Sequence, residues 1–350
     1  MVIEQQYTYQ KSSWNEQIQL FLSRACRKLP FEYSDCWLEA TENLMLDDDA
    51  HVLWHELKAD DGQIVALLPL IHKINTVSRQ HKLSSLTSFY SSITGWYCLD
   101  AEKDQDLCNL LISSILLNNK WNVLELTPLE SSSSLVNSMK FMRYEYLSFF
   151  RFNNWFCYPP SSYSEYQQTL PSKLLNTIKR KSKKLDKLTS WETKIVCSEQ
   201  HLDMVFEHYK KIYVSSWKQV EFDFQFIYFV CREAARRGAL RLGLLYVDGQ
   251  PAAAQIWFVH GEVASIFKLA YDVKYQKLSV GSILSKFMFE NVIDKDNVRC
   301  IDYGMGDESY KADWMNESRA RLGIMVFNLK TFHGFIMWLR HKLFPKIMMR

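Results

Sequence analysis

Apolar and polar positions along the chain fall into short blocks whose period changes several times. From Trp14 to Leu46, apolar residues recur at three- and four-residue spacing on either side of Pro30, which predicts two helices split there. The stretch "HVLWHELKADDGQIVALLPLIHKI" then holds two dense apolar runs joined around Asp61-Gly62, the signal of a β-hairpin. "KLSSLTSFYSS" (82–92) is strand-like with polar edges. "DLCNLLISSILLNN" (106–119) has the stripe of an amphipathic helix, and "WNVLELTPL" (121–129) reads as a buried strand stopped by Pro128. Residues 1–130 therefore read as a mixed α/β unit. The serine run at 131–139 and the Pro-Pro stretch at 156–166 are the least patterned places. A change of domain is expected near the second, giving units 1–150 and 151–350.

Beyond that point the helical period returns over 164–188, 201–218 and 223–238, the last ending at Gly238 as helices often do. In the first of these, Leu174, Leu175, Ile178, Leu185 and Leu188 can share one face, while seven basic residues crowd positions 173–187. The period then drops to that of strands. "ALRLGLLYV", "PAAAQIWFVH" and "EVASIFKLAY" are joined by Asp248-Gly249 and by His260-Gly261-Glu262, an antiparallel meander. A helix opening near Ser282, a short strand "VRCIDY", a strand "GIMVFNL" and a terminal helix "FHGFIMWLRHKLF" complete the order. No repeat of 20 to 50 residues is visible.

Composition narrows the class. With 350 residues, 47% apolar and 23% charged, the chain has the make-up of an ordinary folded protein with room for two domains. A formal net charge of +3 is too small to argue for a nucleic-acid partner from the total. The first residues lack the basic head and apolar core of a secretory signal, and no window reaches the run of about 18 apolar residues that spans a membrane. The eight cysteines are scattered without a C-x-x-C pair, so reduced thiols and a cytoplasmic setting are expected. His51 and His55 lie four apart in a strand-like run with no third ligand evident, and no metal is expected. Neither a Gly-x-Ser-x-Gly elbow nor a Walker loop occurs.

Two stretches can carry chemistry. "YQKLSVGSIL" places Ser279, Gly281 and Ser282 between a strand and a helix, where free backbone N–H groups bind anions. A lone glycine before a helix is also an ordinary turn, and Ser282 also suits a helix cap. "CIDYGMGDESYKADWM" (300–315) sets Asp302, Asp307, Tyr310 and Lys311 behind a short strand, groups able to accept, donate and bind charge. Read blandly, Asp302 and Asp307 are caps or loop ion pairs, and Trp314 is core. Lys268 sits inside an apolar strand, where it either snorkels or points into a cleft.

Three antiparallel strands, then Gln276-x-x-Ser279-x-Gly281-Ser282, then a helix and a strand, resemble the GNAT acyltransferase superfamily. The run Asp302-Tyr303-x-x-Gly306-Asp307-x-x-Tyr310-Lys311-x-x-Trp314, with "SSWK" at 215–218, is similar to its CelD-like branch, related to FemAB-type aminoacyltransferases. The pattern's first glycine is here Ser279. The resemblance covers about 205–325 well and weakens toward the start of the chain.

It implies an α/β (α+β) fold of two stacked GNAT-like halves with mostly antiparallel sheets flanked by helices. The first half is then degenerate, and the second carries the cofactor loop. It implies an acyl-CoA donor, acetyl-CoA first, held by Gln276, Ser279, Val280, Gly281, Ser282 and Leu269. Asp302, Asp307, Tyr310 and Lys311 become catalytic candidates, and Lys268, Tyr271, Trp217 and Trp314 substrate contacts. The acceptor is expected to be an amine or hydroxyl of a small molecule or a cell-envelope sugar precursor. Aminoacyl-tRNA as donor, or a non-catalytic scaffold in polysaccharide biosynthesis, are the alternatives. The basic, aromatic C-terminus is compatible with contact at the inner membrane surface or with docking on the core.

Overall fold

The structure, a computed structural model, describes residues 7–75, 77–218 and 220–343. The chain divides into two compact units. One holds residues up to Arg27, Glu32–Asn153 and those from Ala320 onward; the other holds Lys28–Phe31 and Asn154–Arg319.

The first unit contains β1 (Tyr7–Ser12), α1 (Glu16–Ala25), α2 (Asp35–Leu44), β2 (Ala50–Ala59), β3 (Ile64–Asn75), β4 (Gln80–Ser85), β5 (Tyr97–Cys98), α3 (Asp104–Asn118), β6 (Val123–Glu130) and α4 (Ser134–Phe141). The split at Pro30 is as expected, and Asn15 caps α1 by accepting from the Gln17 and Ile18 N–H groups. The serine run read as unpatterned instead starts a helix, because the Ser133 hydroxyl accepts from Val136 N–H. Strands run in the order β1-β2-β3-β4-β6, with β4 and β6 parallel. α3 packs Leu107, Leu111, Ile112 and Ile115 over Leu68, Leu70, Leu83 and Leu124.

Strand β7 (Glu145–Cys157) leads into α5 (Tyr163–Thr169) and α6 (Ser172–Leu188), which are two helices split at Pro171. Then follow β8 (Trp191–Val196), α7 (Leu202–Val214), α8 (Phe224–Arg236), β9 (Leu240–Val247), β10 (Gln250–His260), β11 (Val263–Tyr271), α9 (Val280–Asp294) and β12 (Cys300–Asp302). The chain ends through β13 (Glu317–Phe327) and α10 (Phe332–Trp338). The last position of the terminal helix expected over residues 332–344 lies outside the described residues. The second unit's strands run from the end of β7 through β12-β11-β10-β9-β8.

Both units repeat one plan, an antiparallel trio, a helix, and a strand parallel to the third of the trio. The closing antiparallel strand of the first unit is β13, which pairs with β6, and that of the second is the end of β7, which pairs with β12. The connection that matters differs. In the second unit β11 reaches α9 through a short turn, whereas β4 reaches α3 through a long loop carrying β5.

Candidate active site

The meander forms because each of its two turns holds two successive residues at positive φ. These are Asp248 and Gly249 (49° and 72°), then Gly261 and Glu262 (58° and 67°), the pairing that matches strand twist in tight hairpins. β12 lies parallel to β11 but pairs only with Val263–Ser265 and stops at Asp302. β11 runs on to Tyr271, so the sheet parts along Ile266–Tyr271 and leaves a strand edge facing an opening. A register shift between Ile256 and Trp257 leaves Phe267 as the extra residue at the start of that edge.

From Tyr271 the chain turns through Asp272, which accepts from Lys274 N–H, and enters α9 at Ser279. Ser279 has φ 54°, ψ 39°, the left-handed conformation that glycine adopts most readily. The helical ladder starts with Ile283 N–H donating to Ser279 O. Helix geometry thus leaves the N–H groups of Val280, Gly281 and Ser282 without intrahelical acceptors. A Cβ on Gly281 would stand 3.1 Å from Cδ1 of Tyr271, so the missing side chain is what admits the tyrosine.

A cavity of about 450 Å³ occupies this opening. Gly281, Ser282 and Ser285 of α9 line one wall, and Leu269, Ala270 and Tyr271 of β11 another. Tyr303, Glu308, Tyr310, Asp313 and Trp314 close it, with Leu174, Trp217 and Gln255 completing the lining. Of the residues singled out by sequence, Leu269, Tyr271, Gly281, Ser282, Trp217, Tyr310 and Trp314 meet here. Trp217 lies on Tyr271 at 4.3 Å between ring centroids. Trp314 is also core: it stacks on Phe289 at 4.7 Å, and its carbonyl accepts from the Tyr166 hydroxyl.

The other candidates stand outside the lining. Gln276 and Val280 flank the turn, where Gln276 O accepts from Ser279 N–H and Val280 is buried. Asp302 is tied into a network: its carboxylate pairs with Arg319 at 2.9 Å and accepts from Asn154 and from Gly304 N–H, both at 2.7 Å. Asp307 accepts from the Trp155 indole at 2.6 Å. Lys311 is buried; its ammonium donates to the carbonyls of Tyr303, Met305 and Gly306 and pairs with Glu308 at 3.0 Å. Lys268 points inward rather than snorkelling and donates to both carboxylate oxygens of Glu221 at 2.9 and 3.0 Å. Burial holds both lysines below the usual ammonium range despite their carboxylate partners. Gly304 and Gly306 serve the backbone, with φ of 62° and 99°.

Sequence reasoning missed Gln255, Ser285, Glu308 and Asp313, and gave Tyr303 a place in the motif but no role in the site. Gln255 is the only polar side chain in the run "PAAAQIWFV", and that isolation was a signal. Its amide donates to Gly281 O (3.2 Å) and the Ser285 hydroxyl (2.8 Å) and accepts from the Trp257 indole (2.9 Å), fixing α9 to β10. Burial, then the Glu308 charge, pushes the Tyr310 phenol up, so it keeps its proton at neutral pH. Glu308, exposed at the rim of the cavity, pairs with Lys311 at 3.0 Å. The arrangement offers backbone donors, a protonated phenol, two carboxylates and two hydroxyls around one opening.

Residues 172–312 match the family described as "Acetyltransferase (GNAT) domain". Among solved structures the chain is similar to FemX, at 10% identity and TM-score 0.65 over 95% of this chain and 99% of that one. A conserved protein of unknown function from Bacteroides thetaiotaomicron aligns at 12% identity and TM-score 0.57, covering 92% and 100%. L-PGS from Bacillus licheniformis aligns at 10% identity and TM-score 0.54, covering 95% and 97%. At these identities the likeness is one of fold. No curated protein matches the chain.

Proposed function

We propose that the chain, whose residues 172–312 match the acetyltransferase (GNAT) domain family, transfers an acyl group from acyl-CoA, acetyl-CoA first, to an amine or hydroxyl. The observation that carries this reading is the parted sheet: an unpaired edge of β11 faces the N–H groups of Gly281 and Ser282 across a cavity. The pyrophosphate of the donor would lie on that helix start. Its acyl carbonyl would meet backbone N–H groups at the end of β11, where oxyanion charge develops during acyl transfer. Tyr310, kept protonated, would donate a hydrogen bond to the leaving sulfur. Glu308 and Asp313 are placed to take the acceptor's proton. Asp302, Asp307 and Lys311 would shape the loop that carries these groups. In the CelD-like reading, the acceptor is a cell-envelope sugar precursor.

Calorimetric titration with acetyl-CoA and longer acyl-CoAs tests the donor, beside a Gly281→Trp variant checked by its melting temperature. Saturable binding lost in a folded variant supports the reading; no binding by the wild type overturns it.

One observation favours a second donor, aminoacyl-tRNA. The exposed face of α6 carries Lys179, Arg180, Lys183, Lys184 and Lys187, and Lys181 Nζ donates to Lys277 O beside the donor turn. That reading requires RNA binding that falls steeply with salt.

A further inference from the structure

Three segments of the second unit touch in series along one side of the cavity. Lys181 Nζ on α6 donates to Lys277 O in the turn Val273–Leu278, and Val273 N–H donates to Ser215 O, just past α7. Leu174 of α6, Tyr271 before the turn and Trp217 after α7 all line the cavity, so this rim borders its opening. The rim combines two kinds of exposed side chain. Lys179, Arg180, Lys183, Lys184 and Lys187 of α6 are exposed, and none pairs with a carboxylate among the described residues. The turn adds exposed Lys274 and Lys277. Nearby acids are engaged: Asp186 accepts from the Trp191 indole, Asp223 and Asp272 cap helices, and Glu221 is buried on Lys268. Beside this charge, large apolar side chains face water: Val214 is 77% exposed, Trp217 50%, Val220 96% and Phe222 68%, with Val273 exposed too.

We propose that this rim docks the protein on the surface of an anionic lipid bilayer. Val214, Trp217, Val220 and Phe222 enter the boundary between headgroups and acyl chains, while the α6 lysines with Lys274 and Lys277 lie over the negative headgroups. The charge alone would suit any polyanion. The apolar half decides: a phosphate-rich polymer in water satisfies the lysines and leaves the valines wet, whereas a charged bilayer covers both. The contact goes beyond the acyltransferase reading and needs no bound donor.

The full chain is sedimented with vesicles of phosphatidylcholine alone and of phosphatidylcholine with about one-third phosphatidylglycerol, at low and high salt. Binding to the anionic vesicles is expected to be at least about tenfold tighter than to the neutral ones, and to weaken with salt. Two double variants, Val220→Asp with Phe222→Asp and Lys183→Glu with Lys184→Glu, should each weaken it by at least about tenfold. All four side chains are exposed, so both variants should melt with the wild type. No vesicle binding by the wild type overturns the inference, as does binding undiminished in either folded variant, the result of a purely electrostatic or a C-terminal contact. Tight binding of a single-stranded RNA oligonucleotide without vesicle binding overturns it in favour of RNA. Acetyl-CoA titration of the same preparation is read separately, and its failure would remove the acyl-CoA reading while leaving the docking surface standing.

Discussion

At the scale of single residues, burial and partnership separate the roles of groups that a motif places side by side. Asp302 sits within a pair and two hydrogen bonds, so Asp302→Ala removes the carboxylate facing Arg319 and one acceptor of Asn154, which keep each other and Gly304 O as partners. We expect it to lower unfolding free energy by about 2–4 kcal/mol, read by urea denaturation. Residual kcat, assayed on material still folded, should exceed that of Tyr310→Phe. A kcat loss beyond that of Tyr310→Phe at unchanged stability would restore Asp302 as the base. Ser279 gives a second, opposite test. Its left-handed backbone costs a side-chain-bearing residue about 1 kcal/mol, so Ser279→Gly should raise stability by roughly 0.5 kcal/mol and retain donor binding.

Between elements, the decisive join is the one from β10 to the start of α9. Gln255 makes three hydrogen bonds there while fully enclosed. Gln255→Leu leaves the Trp257 N–H and the Ser285 hydroxyl without that partner, and should cost about 1–3 kcal/mol by thermal melting. Because Gly281 moves with it, acetyl-CoA affinity should fall more than stability alone predicts; unchanged affinity would mean the loop positions itself. The meander, its two glycine turns and α9 were legible because period and turn chemistry are local, whereas Trp217, Tyr271 and Tyr310 were singled out through the family resemblance. Strands β1, β7 and β8 were not, since their partners are far along the chain and their apolar patterns are weak. The same reason hid the true position of Asp302 and Lys311: motif spacing reports neighbours in sequence, whereas Arg319 and the three carbonyls capped by Lys311 depend on how the loop folds back.

Across the whole molecule, the two units share a plan but differ in what they bury. The first unit encloses a neutral imidazole. His55 is fully buried with the Tyr9 hydroxyl 2.8 Å from Nδ1, and burial, helped by the Lys11 and His72 charges, pushes it down to about 3. In the unfolded chain the same group titrates near 6.5. Between those values the unfolded state takes up a proton that the folded state refuses, so stability is full above about pH 6.5 and drains as pH falls toward 3. From pH 7 to pH 5 this amounts to about 2 kcal/mol. His72, pushed down to about 4 by burial and by His51 and His81, acts in the same direction but is half-exposed and weaker. Hydrogen exchange at pH 7 and pH 5, corrected for intrinsic rates, should show protection falling along β2, β3 and β4 while β9, β10 and β11 hold. His55→Gln should flatten that difference, because an amide has no proton to gain over this range. Equal loss in both trios, or persistence of the loss in His55→Gln, would place the acid sensitivity elsewhere.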